Sequence, residues 1–371
     1  MSWDLAVVGA GMVGVQCALA LQQAGLSTVL LDQAQLATGT SSRGMGHLVI
    51  MDDDPQTLAL TRLGVRLWRQ QSRWLGERAA YRRAGTLWLA ADDEQMASAQ
   101  ARQALLHEQG INCEALGRDG LRHLEPCLSP RLAGALRVRD DAILYQPGAA
   151  AALLAAFLDQ GGHYRPNSQV QRLEEGALVL AGGEVVEAGR ILLCAGLDSR
   201  RLLPELPLLG RKGHLAITSR QVPAIRHQLV ELGYHDSTQA DGTAVAFNLQ
   251  PRETGQWLIG SSRQFDGEDQ QLAMDVLTAM LDKAARFVPC LARQRLLRCW
   301  TGLRPTTPDN KPLLGPWPAI PNLWVATGHE GLGITTAPAT ARLLAQAITG
   351  QEPELDLAPY APDRFGAGHG H

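Results

Sequence analysis

The stretch Asp4-Leu-Ala-Val-Val-Gly-Ala-Gly-Met-Val-Gly-Val15 decides the fold, because within it an apolar strand pattern passes directly into a helix pattern. Its glycines, Gly9, Gly11 and Gly14, have the spacing G-x-G-x-x-G at the junction. In such a junction the first glycine permits a tight turn, the second lets the backbone approach a pyrophosphate, and the third lets helix and strand pack closely. The phosphates would bind the N–H groups at the positive end of the helix dipole.

A second apolar segment, Thr28-Val-Leu-Leu-Asp32, predicts a strand that ends in an acid. Asp32 follows the glycines at about the 20-residue spacing of acids that bond ribose hydroxyls, and its charge would repel a ribose 2′-phosphate. The combination of strand, helix, second strand and acid therefore predicts a dinucleotide site. The alternative is a glycine-rich turn that binds nothing, and the motif does not distinguish FAD from NAD.

Composition limits the remaining function classes. The chain has 371 residues and a formal net charge of −3, with both signs spread along it. This length allows a large core in two lobes, and the charge pattern disfavours a nucleic-acid surface. The six cysteines are scattered without C-x-x-C spacing and the histidines are dispersed. These patterns indicate no metal site and a reducing, cytoplasmic compartment.

Apolar runs give no sign of a transmembrane segment. The apolar N-terminus lacks a basic region and is already explained by the nucleotide motif. The alanine-rich run 148–158 is too short to span a bilayer. We expect a soluble chain, with peripheral membrane contact at most.

Hydrophobic periodicity predicts a mixed α/β chain without internal repeats. Predicted helices cover residues 58–80, 93–109, 147–160, 270–287 and about 331–349. Predicted strands cover residues 85–91, 177–181, 184–187, 190–196, 213–219, 244–250, 256–261 and 322–328. Nucleotide-type strand–helix units occur at both ends with β-rich sequence between them, which favours two interleaved lobes.

Two further segments carry chemistry. Gly328-His-Glu-Gly-Leu-Gly-Ile-Thr-Thr-Ala-Pro338 follows a buried strand and opens a helix, whose N-terminus could face the N1/O2 edge of a flavin; the alternative is an ordinary helix start. The segment Cys299-Trp-Thr-Gly-Leu-Arg-Pro-Thr-Thr-Pro-Asp-Asn-Lys-Pro-Leu-Leu-Gly315 predicts a rigid loop that presents Arg304. An arginine so held suits bidentate binding of a carboxylate, although it could equally pair with Asp309.

Taken in order, these segments resemble the D-amino acid oxidase-like family of FAD-dependent oxidoreductases over nearly the whole chain. Gly9 to Asp32 resembles the family's FAD-binding start, and Thr38-Gly-Thr-Ser-Ser-Arg-Gly-Met-Gly-His47 resembles its second flavin segment. The resemblance implies FAD, held by Gly9, Ala10, Gly11, Met12, Val13, Gly14, Asp32, Gln33, Thr40, Ser41, Ser42, Arg43, Gly46, His47, Val170, Cys194, Ala195, Gly196, Gly328, His329, Glu330, Gly331, Leu332 and Gly333.

The resemblance also implies a substrate site. Arg304, in Gly-Leu-Arg-Pro, matches the arginine that binds the substrate carboxylate in glycine oxidase-like members. His47 lies near a position where some relatives attach flavin, and Phe247 and Trp300 are candidate cavity walls, although either could be core. Glu330-Gly331-Leu332 stands where glycine oxidase has an arginine, which disfavours glycine as the substrate.

The implied fold is α/β, a Rossmann-like FAD-binding domain interleaved with a smaller α+β substrate domain. We assign residues 1–84, 142–212 and 296–371 to the first domain and residues 85–141 and 213–295 to the second.

Within this family, the segment Gly328 to Pro338 most resembles the corresponding segment of one branch. That branch contains the catalytic (β) subunits of opine oxidase and D-hydroxyproline dehydrogenase. That branch implies hydride transfer from the Cα–N unit of a small amino or imino acid, within a complex whose other subunits carry a second flavin or iron–sulfur centre. The alternatives are an oxygen-using oxidase of glycine or sarcosine oxidase type, a flavin electron-transfer subunit, and an NAD-binding module.

Overall fold

The computed structural model describes residues 2–50, 52–220, 225–234, 242–265 and 267–366. The strands are β1 (Trp3–Val8), β2 (Thr28–Leu31), β3 (His47–Leu48), β4 (Thr86–Ala90), β5 (Cys113–Gly117), β6 (Gly134–Val138), β7 (Ala142–Ile143), β8 (His163–Arg165), β9 (Val170–Glu174), β10 (Ala177–Leu180), β11 (Val185–Leu193), β12 (Leu209–Thr218), β13 (Gln228–Glu231), β14 (Ala244–Pro251), β15 (Trp257–Arg263), β16 (Leu296–Thr306), β17 (Leu313–Pro316) and β18 (Leu323–Thr327). The helices are α1 (Met12–Gln23), α2 (Thr40–Arg43), α3 (Pro55–Gln71), α4 (Asp93–Glu108), α5 (Arg118–Leu124), α6 (Gln146–Asp159), α7 (Ser199–Leu202), α8 (Met274–Phe287) and α9 (Gly333–Ile348). Within these ranges, no helix combines the length and apolar character needed to cross a bilayer.

The first sheet is mainly parallel and carries the nucleotide motif. Its strand order is β17-β18-β11-β1-β2-β8, and the hairpin β9–β10 joins it through β11. The central strand β1 pairs in parallel with β11 and β2, and all four residues of β2 are buried. Helix α1 packs against α6 and α9, and α3 packs against α9. The predicted strand–helix–strand start is thereby confirmed.

The second sheet lies beside the first and is mainly antiparallel. Its order is β16-β12-β15-β14-β13-β4-β6-β5, and only the pair β13–β4 among the named strand pairs runs parallel. One face packs against α8 through a core that contains Phe247, Leu249 and Met280. The two sheets confirm the predicted α/β fold class. The domain boundaries stay a prediction. Residues 296–306, assigned to the first domain, pair with β12 in the second sheet.

Three predicted elements differ from the structure. Residues 299–306 are not a rigid loop, because β16 pairs with β12 along ten residue pairs from Leu209–Thr306 to Thr218–Leu296. Helix α3 ends at Gln71, and Gly76, with φ of +72°, lies in the turn that follows. Helix α8 begins at Met274, because the residues before it bind the second sheet: the Gln270 carbonyl accepts from Thr301 Oγ1.

Candidate functional site

A cavity of about 430 Å³ opens where the carboxyl ends of β1 and β2 meet β16 and the start of α9. The predicted residues that line it are Gly9, Gly11, Met12, Val13, Asp32, Gln33, Thr40, Ser41, Arg43, Val170, Cys194, Ala195, Gly196, His329, Glu330, Gly331, Gly333 and Arg304. The predicted residues outside its lining are Ala10, Gly14, Ser42, Gly46, His47, Phe247, Trp300, Gly328 and Leu332. The lining also includes residues that the prediction missed, among them the polar side chains of Ser168, Gln169, Asp198, Arg201 and Gln270. Arg201 lies on α7, and the other four lie outside the named strands and helices.

Glycine is required at Gly9 and Gly14 of the β1–α1 turn because backbone atoms lie too close for a side chain. A Cβ on Gly9, whose φ is +106°, would lie 2.6 Å from the Cys194 carbonyl oxygen. A Cβ on Gly14 would lie 1.8 Å from the Gly9 carbonyl oxygen. Gly11 precedes the first turn of α1 and faces the cavity, where Ser41 Oγ accepts from the Met12 N–H at 2.9 Å. The remaining first-turn N–H groups have no acceptor within the helix, so the turn offers donors to an anion.

Asp32 is fixed at the end of β2 by two backbone donors. Its Oδ2 accepts from the Ala10 N–H at 2.6 Å, and its Oδ1 accepts from the Ala34 N–H at 2.7 Å. An ionised carboxylate has about four acceptor positions, so lone pairs remain for ribose hydroxyls on the cavity side.

The loop that begins at Gly328 places a neutral histidine in the cavity lining. His329 Nε2 lies 3.1 Å from Thr340 Oγ1, and burial lowers the pKa of His329 to about 4. Its ring is therefore uncharged at neutral pH, and it packs the loop against α9. The N-terminus of α9 follows at Gly333, which lines the cavity.

Arg304 lies on the strand face that turns toward the cavity. Its guanidinium covers Gly213 of the neighbouring strand, where a Cβ would lie 2.5 Å from Arg304 Nη2. Arg304 Nη1 donates to the Ser262 carbonyl at 3.1 Å, which holds the group against the sheet. A glycine on β12 therefore makes the room for the arginine, and the other N–H groups of the fork can meet a carboxylate.

Beside Arg304 lies an acid whose side chain is only 11% exposed, between two further arginines of the second sheet. Glu330 Oε1 is 3.3 Å from Arg211 Nη1 and 3.5 Å from Arg263 Nε. Burial opposes ionisation of Glu330, but the positive charges of Arg263, Arg304 and Arg211 outweigh it and lower the pKa of Glu330 to about 2. Glu330 is thus ionised at neutral pH and balances part of the charge of this cluster.

We expect Glu330→Gln to destabilise the protein in a pH-dependent way. The folded pKa of about 2 lies below the ordinary value of 4.5, so the stabilisation is complete above pH 4.5 and is lost as the pH falls toward 2. This separation corresponds to about 3 kcal/mol at neutral pH. Urea unfolding of both proteins between about pH 7 and pH 3 should show a difference that shrinks with falling pH. A pH-independent difference, or one equal to that of the exposed Glu187→Gln, would contradict this assignment.

Three of the predicted residues lie outside the cavity lining, namely His47, Trp300 and Phe247. His47 Nδ1 is hydrogen-bonded to Gln228 Oε1. Burial lowers the pKa of His47 to about 4, so its ring is uncharged at neutral pH. Trp300 Nε1 donates to the Arg43 carbonyl at 3.2 Å and thus joins β16 to α2. Phe247 is not a cavity wall in this structure: it is fully buried and stacks on Phe287 at 4.6 Å between ring centroids. Strand alternation turns Phe247 toward α8 and its neighbours the other way.

The described residues fit FAD. An acid suited to ribose hydroxyls lies at one part of the cavity, glycine-flanked helix donors lie beside it, and the N-terminus of α9 lies near Arg304. Within the described ranges no group of histidine, cysteine, aspartate and glutamate side chains could hold a metal ion. This fold and cavity define a dinucleotide-binding protein in which a strand of the second sheet, β16, contributes to the cavity wall.

Comparison with known proteins identifies the family. Residues 4–347 match the family described as FAD dependent oxidoreductase (DAO), and the chain belongs to it. It is 29% identical to glycine oxidase of Pseudomonas aeruginosa, over 98% of this chain and 99% of that protein. It is 25% identical to one of the subunits of opine oxidase from Agrobacterium tumefaciens, over 98% of both chains. The crystal structure of glycine oxidase from Geobacillus kaustophilus superimposes with a TM-score of 0.88 and 23% identity, covering 99% of this chain and 100% of that one.

These findings confirm the predicted family and cofactor. The chain is an FAD-dependent oxidoreductase. The roles of individual residues stay predictions.

Proposed function

We propose that this chain oxidises the Cα–N bond of a small amino or imino acid (a D-amino acid, D-hydroxyproline, proline or an opine) to the imino acid. The observation that carries the proposal is the Arg304 guanidinium, which lies at the cavity surface with one hydrogen bond to a carbonyl. Its position on a paired strand holds the fork in place, which suits a substrate carboxylate. Relatives named as glycine oxidase, opine oxidase and D-amino-acid oxidase act on this kind of compound.

In this proposal the chain's contribution is orientation. Arg304 would bind the carboxylate and thereby hold the Cα–H bond in one orientation. FAD, when bound, would supply the two-electron acceptor for the hydride. The nitrogen binds as a neutral amine, and its lone pair forms the second C–N bond as the Cα–H bond breaks. The substrate would thus lose a hydride from Cα and one proton from the nitrogen, so a CH–NH unit would become C=N. Neutral His47 and His329 add no positive charge that would disfavour the developing iminium.

We further propose that the chain works as the catalytic subunit of a hetero-oligomeric dehydrogenase. Two relatives are named as subunits, one of opine oxidase and one of hydrogen cyanide synthase, and those names describe parts of complexes. Electrons would then leave through a partner that carries a second flavin or an iron–sulfur centre. The chain would lie in the cytoplasm.

The test is anaerobic reduction of the bound flavin by a panel of D- and L-amino acids, hydroxyprolines, sarcosine and opines. We expect loss of the visible flavin absorbance with at least one of them, followed by slow reoxidation on admission of air and fast reoxidation by an artificial dye. Rapid peroxide release at the rate of turnover would favour an oxygen-using oxidase. A flavin that no member reduces, but that dithionite reduces, would instead favour an electron-transfer subunit.

A further inference from the structure

Two amide side chains lie with unpaired atoms in the interior of the second sheet. Asn248 and Gln250, both on β14, are 4% and 0% exposed. Within the described ranges, Asn248 Oδ1 and both amide atoms of Gln250 have no hydrogen-bond partner. Asn248 Nδ2 lies 3.4 Å from Ser261 Oγ, so its oxygen is the free end.

Both amides lie on the sheet face that turns away from α8. Phe247 and Leu249 occupy the α8 face, and alternation places Asn248 and Gln250 on the other. A Cβ built on Gly260 would lie 2.5 Å from Asn248 Oδ1 and 2.9 Å from Met45 Sδ. Met45 belongs to the second flavin segment, so Asn248 Oδ1 lies near that segment, although neither amide lines the cavity itself.

Buried polar groups in native proteins are almost always hydrogen-bonded, because an unmade bond in the interior costs free energy. Here three polar atoms on two neighbouring positions of one strand face lack partners within the described ranges. A ligand that enters this side of the sheet would supply them.

The separation of the Arg304 guanidinium and Asn248 Oδ1 suits the carboxylate and the nitrogen of one amino acid. The Arg304 guanidinium covers Gly213, and Asn248 Oδ1 lies beside Leu215 at Gly260. Gly213 and Leu215 are one two-residue repeat apart on β12, which is about 7 Å. The carboxylate carbon and the nitrogen of an α-amino acid are about 2.5 Å apart, and a hydrogen bond at each end adds about 3 Å.

We propose that Asn248 accepts a hydrogen bond from the substrate nitrogen and that Gln250 binds a hydroxyl group on the substrate side chain. The substrate class is therefore a small hydroxylated amino or imino acid, and this inference rests on the proposed function. Met45 covers Asn248, and its unbranched side chain can move aside when the substrate enters.

A hydroxyl suits Gln250 because it is both a donor and an acceptor, as is the primary amide. A second carboxylate would accept from the amide nitrogen and leave Gln250 Oε1 unpaired. Gln250 lies one strand repeat beyond Asn248, on the side away from Arg304, and cross-strand from Gln228. The order of contacts is thus carboxylate, nitrogen and side-chain hydroxyl.

The test compares substrates that differ only by a hydroxyl, namely alanine with serine and proline with 4-hydroxyproline, each in both configurations. Anaerobic flavin reduction by the wild-type holoenzyme should favour the hydroxylated member by at least about tenfold in the reduction rate constant divided by Kd. Gln250→Met should abolish that preference by lowering the reduction rate constant divided by Kd for the hydroxylated member. Asn248→Leu should weaken reduction by all four compounds about tenfold or more, with unchanged flavin content.

The unfolding temperature of each variant, measured without substrate, distinguishes substrate recognition by these amides from a structural role. Because three of the four amide atoms have no partner, both apolar isosteres should unfold at the same temperature as the wild type or higher, whereas a structural role would lower it. The control is Gln294→Met, a matched substitution far from the cavity whose amide donates to the Cys290 carbonyl. A flavin reduced equally well by both members of each pair, or an unchanged preference in Gln250→Met, overturns this inference alone. A flavin that no amino or imino acid reduces overturns the proposed function together with it.

Discussion

Arg304→Met should lower kcat/KM for flavin reduction by amino acids by roughly a hundredfold or more while FAD content stays at the wild-type level. Charge-assisted hydrogen bonds of an arginine fork contribute about 1.5–3 kcal/mol each, and each 1.4 kcal/mol is about tenfold in rate. Methionine keeps much of the side-chain length over Gly213 but has no donor for the carboxylate. Stopped-flow reduction under anaerobic conditions measures the effect, and bound-flavin absorbance per protein measures cofactor content.

A conservative variant and a control variant are needed to interpret this measurement. Arg304→Lys should restore activity only in part, because lysine lacks the planar fork. Arg298→Met, on the exposed start of the same strand, should leave kcat/KM near the wild-type value. If Arg304→Met reduces its flavin with near-normal efficiency, the carboxylate binds elsewhere, and Arg43 is the next candidate because it lines the cavity. Lys311 is a weaker candidate, since its Nζ pairs with Asp54 at 3.0 Å.

The nucleotide half of the site could be predicted from sequence because its determinants are local. Gly9, Gly11 and Gly14 act within one turn, and Asp32 ends the strand that pairs next to β1. Short-range spacing therefore specifies both the backbone and the chemistry.

The strand that carries Arg304 could not be predicted in the same way. Prolines and glycines between Cys299 and Gly315 indicate a loop by local preference, but pairing with β12 from a distant part of the chain overrides it. Gly302 is needed in that strand because a Cβ there would lie 3.0 Å from Arg43 Cβ. Its role is to admit a neighbouring arginine, and no local pattern reveals that contact.

The sequence prediction chose Phe247 as a cavity wall and overlooked the amide of the next residue, Asn248, and that of Gln250. Phe247 is the aromatic residue of its segment and was therefore the candidate wall, yet the face it occupies depends on the position of α8. Alternation along a strand separates two faces, but it does not show which face a distant helix covers. One signal was present in the sequence: Asn248 and Gln250 are polar residues two apart in an otherwise apolar strand.

Gly14→Ala should abolish FAD binding and destabilise the protein more than a typical helix substitution. The new Cβ would lie 1.8 Å from the Gly9 carbonyl oxygen, and because that atom belongs to the backbone, the turn itself must move. Overpacking of this kind costs about 1–3 kcal/mol, and displacement of the turn removes the donors that meet the pyrophosphate. We expect FAD affinity to fall at least about a hundredfold, which is about 2.8 kcal/mol.

The matched control for Gly14→Ala is Gly182→Ala, since a Cβ there meets nothing within 4 Å and the residue lies in an exposed hairpin turn. Flavin content after purification, FAD titration of the apoprotein by fluorescence quenching, and urea unfolding of the apoprotein separate binding from stability. Helix propensity alone would make alanine the better residue inside α1, by about 1 kcal/mol. A Gly14→Ala protein as yellow and as stable as the wild type would show that helix α1 can withdraw from the Gly9 turn, and the close packing of the turn would then not be what holds the cofactor.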